Sequence, residues 1–235
     1  MKIMTFNICS GTNYPENERE INLDNCGAVI KKVAADIVGL NEVHNGGIWG
    51  NQPQQLAEKL GYEYYAFARA TYVNGSDYGN GFLSKYPIVS LETIEIPDPE
   101  VKDDGGYYET RCILKAVINN GKDDISVYVT HFGLNVSEHN NAVETLLSAI
   151  GDNPEKTIVM GDLNVPPHNS AILKLKEKLV DSAGSKGNEL LTFPSPAPTD
   201  KIDYIFTSSD AVINSVYVEE KMGSDHRAYV CSAGF

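Results

Sequence analysis

Thr157-Ile158-Val159-Met160-Gly161-Asp162-Leu163-Asn164 reads as a buried strand running straight into a polar loop. The apolar run is too short for a helix, and Pro166-Pro167 blocks any continuation. Asp162 and Asn164 are two apart, so on an extended segment both side chains point to the same side. A turn after a strand accounts for their polarity but not for that shared side. Loops held by a rigid sheet position chemical groups without burying their own backbone, so this is where a site is expected.

The pattern recurs along the chain. Asn7 ends the opening strand, and Glu42 follows Ile37-Val38-Gly39-Leu40. His131 follows Ile125-Ser126-Val127-Tyr128-Val129, and Asp203 lies inside Lys201-Ile202-Asp203-Tyr204-Ile205. Ser224-Asp225-His226 comes just before the last strand-like run. A charge directly after an apolar strand is costly unless it is paired or metal-bound. Together these groups suit a divalent cation and the cleavage of a phosphate ester. Asp162 can accept a proton or hold a metal or water, and Asn164 can donate to a phosphate oxygen without repelling it. Asp203 is the natural orienter of His226, since a buried carboxylate fixes the tautomer and favours the imidazolium. Glu109 and Arg111 are read as sharing one face of a strand, with Arg111 binding phosphate or holding an acidic site residue. His44, Trp49, Tyr14 and Tyr78 are candidates for the rim of the cleft; His139 and His168 are read as solvent-exposed.

Working outward, strands are expected over 2–8, 37–41, 62–68, 81–84, 88–96, 108–118, 125–130, 157–161, 202–207, 211–218 and 227–232. Helices are expected over 21–35, 52–60 (closed by Gly61), 138–150 and 168–179. Helices are interspersed with strands in both halves, and each half contains hairpin-like runs. Two sheets packed face to face with helices outside fit this better than one doubly wound sheet. The sequence has no Gly-x-Gly-x-x-Gly, no Walker loop and no Gly-x-Ser-x-Gly elbow.

Composition narrows the function. With 235 residues, 42% hydrophobic and 22% charged, one soluble domain spanning 1–235 is expected. No run approaches the roughly 18 apolar residues of a membrane span. The first strand already carries Asn7, which a cleaved signal peptide would discard, so a cytoplasmic location is expected. Cys9, Cys26, Cys112 and Cys231 show no metal-ligand spacing and read as reduced structural thiols. The net charge is −13, from 19 basic and 32 acidic residues. Affinity for duplex DNA comes largely from Lys and Arg on phosphates, so this balance disfavours a general DNA binder. A nuclease with a local basic patch stays compatible with it.

The motif order resembles the endonuclease/exonuclease/phosphatase superfamily. The resemblance rests on Asn7, Asn41-Glu42-Val43, Gly79-Asn80-Gly81-Phe82-Leu83-Ser84-Lys85-Tyr86-Pro87-Ile88, Glu109-Thr110-Arg111, Thr130-His131-Phe132-Gly133-Leu134, Gly161-Asp162-Leu163-Asn164, Thr192-Phe193-Pro194-Ser195, Ile202-Asp203-Tyr204-Ile205-Phe206 and Ser224-Asp225-His226. It implies an α+β fold, a four-layer α/β/β/α sandwich of two packed mixed sheets flanked by helices, and magnesium- or manganese-dependent phosphoesterase activity. It further implies Glu42 as the main metal ligand with Asn7 and Asp225 nearby. Asp162, or His226 backed by Asp203, would activate the attacking water, and Asn164, Asn7 and His131 would hold phosphate oxygens. His131 resembles the branch that includes sphingomyelinases and pancreatic-type deoxyribonucleases. Two positions depart from the family pattern: Asn41 stands where Gln is usual, and Glu138-His139-Asn140-Asn141-Ala142 replaces the usual continuation. The expected substrate is a small or lipid-like phosphodiester or phosphomonoester, taken by a monomer. The alternative is a nuclease acting on DNA or RNA.

Overall fold

The computed structural model describes residues 1–102, 105–184 and 189–235. In chain order the elements are β1 (Lys2–Asn7), β2 (Thr12–Asn13), β3 (Asn17–Ile21), α1 (Leu23–Val33), β4 (Ile37–Gly46), β5 (Gly50–Asn51), α2 (Gln52–Leu60), β6 (Tyr64–Val73), β7 (Ser76–Ser84) and β8 (Ile88–Glu95). They continue as β9 (Cys112–Asn119), β10 (Asp124–His131), α3 (Val136–Ile150), β11 (Thr157–Asp162), α4 (Ser170–Leu175), β12 (Val180–Asp181), β13 (Asp203–Thr207), β14 (Val212–Val218) and β15 (Tyr229–Gly234).

Two mixed sheets face each other. The first runs β14-β15-β1-β4-β7-β6, with β5 paired to β4; the second runs β12-β13-β11-β10-β9-β8. Alternation along the strands sorts side chains into three cores. On β1, Ile3 joins the core between the sheets, whereas Met4 and Phe6 join the core under α1 and α2. On β11, Ile158 and Met160 face the opposite sheet, and Val159 faces α3 and α4. Each fully buried aliphatic side chain contributes about 1.5–3 kcal/mol. A one-residue slip would move a whole strand's set to the wrong layer, so register is strongly fixed. This is the expected four-layer α/β/β/α sandwich.

Local chemistry sets the helix ends. Asn22 caps α1 by accepting from the Asp24 N–H, and Asn51 caps α2 by accepting from the Gln54 N–H. Gly61 closes α2 in the left-handed conformation, as its position suggested. Three expectations need correction. Helix α4 ends at Leu175 rather than 179, because the chain turns there to bury Leu179 and pair Val180-Asp181 with β13. Strand β9 begins at Cys112, so Glu109 and Arg111 lie on the irregular segment before it rather than on a shared strand face. His139 is buried, with its Nε2 2.9 Å from the Gly133 carbonyl oxygen, whereas His168 is exposed as expected.

Candidate active site

Strand parity assembles the site. His131 has the parity of Ile125, Val127 and Val129; Asp162 that of Ile158 and Met160; Asp203 that of Ile205. All three therefore emerge on the side facing the other sheet. They are also register partners, His131 with Asp162 and Asp162 with Asp203, forming one rung across β10, β11 and β13. On the facing sheet Asn7 is the register partner of Asn41. Glu42 reaches the same space by a different route. Register jumps from Leu40–Gly81 to Val43–Gly79, so Asn41 and Glu42 together oppose Asn80. This bulge holds Glu42 at φ +57°, a left-handed conformation rare for a non-glycine residue, and re-aims its carboxylate.

A chain of amides spans the two sheets behind these groups. Asn41 Nδ2 donates to Asn80 Oδ1 at 2.8 Å and to the Thr130 carbonyl at 2.9 Å, while Asn41 Oδ1 accepts from the Asp162 N–H at 2.9 Å. Asn80 Nδ2 then donates to the Cys112 carbonyl at 2.9 Å. Asn41, the departure from the family's usual Gln, thus fixes the backbone of a site residue. Asn41→Leu would strand the Asp162 N–H, the Thr130 carbonyl and Asn80 together, an expected loss of about 2–4 kcal/mol. A thermal melt reads this directly; unchanged stability would mean the bridge contributes nothing.

Asn80, in Gly79-Asn80-Gly81, is the middle link of this bridge. It lies inside β7, where a Cβ at Gly79 would meet the Ala68 carbonyl oxygen at 2.1 Å. Glycine within a strand as a mark of close backbone approach is the signal that points to it.

His226, from the segment before β15, turns Nδ1 to Asp203 Oδ2 at 2.8 Å and Nε2 to Asp162 Oδ2 at 3.5 Å. Phe193 packs on its ring at 4.9 Å. Burial pulls the imidazole toward neutrality, but the carboxylates of Asp203 and Asp162 outweigh it and raise its pKa to about 10. His226 is therefore an imidazolium held between two carboxylates. His131 is the reverse case. Burial lowers its pKa well below the usual value, and the charges of Arg111 and His226 push it the same way. Arg111 Nη1 lies 3.0 Å from His131 Nδ1, and a guanidinium can only donate. Nε2 lies 3.5 Å from Asp162 Oδ2 and 3.0 Å from Asn164 Nδ2, so a donor faces each ring nitrogen. Arg111 is itself paired with Glu109 at 2.6 Å.

Asp162 is buried and its pKa is raised to about 7, chiefly by desolvation. It accepts from the Asn164 N–H at 2.9 Å and from Asn7 Nδ2 at 3.1 Å. Asn164 sits at φ +53°, and its Nδ2 donates to the Phe132 carbonyl at 3.0 Å and lies 3.0 Å from His131 Nε2. Asn7 Nδ2 also donates to Glu42 Oε1 at 3.0 Å, while its Oδ1 accepts from the Cys9 N–H. Asn7 thus braces two carboxylates with its amide N–H groups. Lys201, buried over the Tyr204 ring at 3.6 Å, donates to the Asp203 carbonyl rather than to its carboxylate.

The carboxylates differ in their supply of positive charge. Asp162, Asp203 and His226 present ligand atoms within 4.8 Å of one another, but the His226 imidazolium already supplies the cation of that group. Burial raises the Glu42 pKa most; the Asn7 hydrogen bond, His226 and Arg111 offset this and the added charge of Asp225 only in part. Burial, Asp225 and Glu42 together push the Cys9 thiol up to about 12. Uncompensated carboxylate oxygens of this kind fit a hard divalent cation such as magnesium or manganese.

The model of the endonuclease/exonuclease/phosphatase family matches residues 4–226. This chain belongs to that family. Its members are phosphoric ester hydrolases and generally depend on a divalent metal, and the chain is an enzyme of that class. Solved structures of family members superpose over nearly the whole chain. One from Beutenbergia cavernae has a TM-score of 0.82 at 22% identity, covering 99% of this chain and 71% of that one. The mannosyl-6-phosphatase Bt3783 of Bacteroides thetaiotaomicron has a TM-score of 0.74 at 16% identity, covering all of both chains. The human Nocturnin catalytic domain, with bound sulfate, has a TM-score of 0.73 at 17% identity, covering all of this chain and 93% of that one. No curated protein sequence matches the chain. Among the described residues of this family member, no helix is long and apolar enough to cross a membrane.

Proposed function

We propose that this enzyme hydrolyses a small phosphate ester, with magnesium or manganese held by Glu42 and Asp225 and with Asn7 bracing Glu42. The observation that carries the reading is the His131–Asp162–Asp203 rung closed by an imidazolium and set beside a carboxylate pair short of positive charge. Bound there, the cation would neutralise charge on the phosphate oxygens and the leaving oxygen.

The chain's own groups divide the rest of the work. His226 carries protons on both ring nitrogens and donates to a phosphate oxygen. His131 is kept uncharged by burial and by Arg111 and His226, and its single ring N–H is a second donor. Asp162 is the acceptor that remains: it takes a proton from the attacking water as the P–O bond to water forms and the P–O bond to the alcohol breaks. A carboxyl titrating near neutrality suits that task. Asn164 steadies the phosphate with its amide. Support for a small ester comes from the net charge of −13, which opposes a long polyanion, and from the fold shared with a protein named a mannosyl-6-phosphatase. The four free cysteines support the expected reducing, cytoplasmic setting.

The test is hydrolysis of bis-p-nitrophenyl phosphate with magnesium or EDTA, beside a plasmid-nicking assay. Hydrolysis should need the metal, and Glu42→Gln should lower it at least a hundredfold. Full activity in EDTA, or an unaffected Glu42→Gln enzyme, would overturn the metal assignment. Nicking at low enzyme concentration would replace the small-ester reading with a nuclease.

A further inference from the structure

Asp225 and His226 lie on an irregular segment just ahead of β15. They are held by a loop distant in sequence, Thr192-Phe193-Pro194-Ser195, whose last residue is fully buried. The Ser195 N–H donates to the Asp225 carbonyl at 2.6 Å, and Ser195 Oγ donates to the Ser224 carbonyl at 2.6 Å. These two carbonyls flank the Asp225 Cα, so one residue fixes the peptide on each side of it. The Ser195 carbonyl in turn accepts from Arg227 Nε at 2.7 Å, and the Arg227 N–H donates to the Thr192 carbonyl at 2.8 Å. With the backbone placed, Ser224 Oγ donates to Asp225 Oδ1 at 2.9 Å and turns the carboxylate. On the opposite side the segment rests on α1. Cys26 Sγ donates to the Gly223 carbonyl at 2.9 Å, and a Cβ at Gly223 would meet the Asn25 carbonyl oxygen at 2.7 Å.

The loop closes without help from Ser195. The Thr192 and Phe193 N–H groups both donate to the Asp200 carbonyl, and the Thr199 and Asp200 N–H groups both donate to the Phe193 carbonyl. A serine serving only this turn would direct its polar groups inward. All three of those on Ser195 go instead to residues 224–227.

We propose that Ser195 is the positioning residue that aims the Asp225 carboxylate at the metal. The inference rests on the metal assignment proposed above. Magnesium demands near-ideal octahedral geometry at about 2.0–2.1 Å, so a ligand displaced by a fraction of an ångström costs affinity. Calcium accepts flexible geometry at about 2.3–2.6 Å and tolerates the same displacement. Loss of a group that orients a metal ligand typically lowers affinity by about 10–100-fold.

The test is calorimetric titration of magnesium and of calcium, which needs no turnover. It compares wild type, Ser195→Ala, Asp225→Asn and Ile172→Val, with circular dichroism to confirm folding. Ile172 is buried in the outer core under α3 and α4, so its variant controls for lost packing alone. Ser195→Ala should raise the magnesium Kd about tenfold and the calcium Kd less than threefold, and Ile172→Val should change neither. Ser195→Cys keeps the shape of the side chain with a weak donor, should shift the same way, and carries the test if the alanine variant does not fold. Unchanged magnesium affinity, an equal loss for both ions, or the same loss in Ile172→Val would each overturn the role of Ser195. Magnesium binding unaffected by Asp225→Asn would overturn the metal assignment and the aiming with it. Binding weakened by Asp225→Asn but not by the Ser195 variants would overturn the aiming alone.

Discussion

Asp162→Asn should lower kcat for ester hydrolysis by about a thousandfold, about 4 kcal/mol of barrier, while the protein stays folded. The substitution keeps the shape of the side chain and its Oδ1 acceptor, so the Asn164 N–H can still be satisfied. It removes the charge that faces His226 Nε2 and His131 Nε2, each 3.5 Å away. It also removes the acceptor for the proton of the attacking water. The other acidic group of the rung does not replace it, because Asp203 is committed to His226 Nδ1. Steady-state kinetics beside circular dichroism separates chemistry from folding. An Asp162→Asn enzyme with native-like spectra and turnover within tenfold of wild type would remove Asp162 from the reaction.

The second large effect concerns the frame. Gly161→Ala should destabilise the protein by about 3 kcal/mol or more, a fall in Tm of about 6–12 °C for a chain of this size. Gly161 sits at φ +149°, and a Cβ there would meet the Thr130 carbonyl oxygen at 1.8 Å. That oxygen belongs to backbone and accepts from Asn41, so it has no room to give. Relief requires β11 to move from β10, which would open the His131–Asp162 rung and cost activity as well. A melting temperature within about 2 °C of wild type would show that the two strands can part at this point without penalty.

Much of this was legible because period-two alternation and strand ends are local properties. The same-side reading of Asp162 and Asn164, the burial of Met160 and the position of His131 needed only the sequence. So did the stop at Gly61. Rung membership was not legible, since His131, Asp162 and Asp203 meet through pairings set by the whole sheet. Neither was the bulge at Glu42: nothing in Asn41-Glu42-Val43 announces a left-handed glutamate, and the residue opposite it, Asn80, is on another strand. The burial of His139 was missed because the carbonyl that partners its Nε2, that of Gly133, lies six residues away in sequence. The metal set was inferred from resemblance. The geometry adds that Asn7 turns N–H groups, not oxygen, toward Glu42 and Asp162.

The link between the sheets at Asn41 and Asn80 is made of amides, which neither titrate nor attract counterions. A bridge of opposite charges in the same place would weaken as salt screened it, and would break as acid protonated its carboxylate. Here the spacing between Asp162 on one sheet and Glu42 on the other is set by groups indifferent to both. Changes in turnover with ionic strength or acidity will therefore report on the reacting groups and their substrate, with the scaffold acting as a constant background.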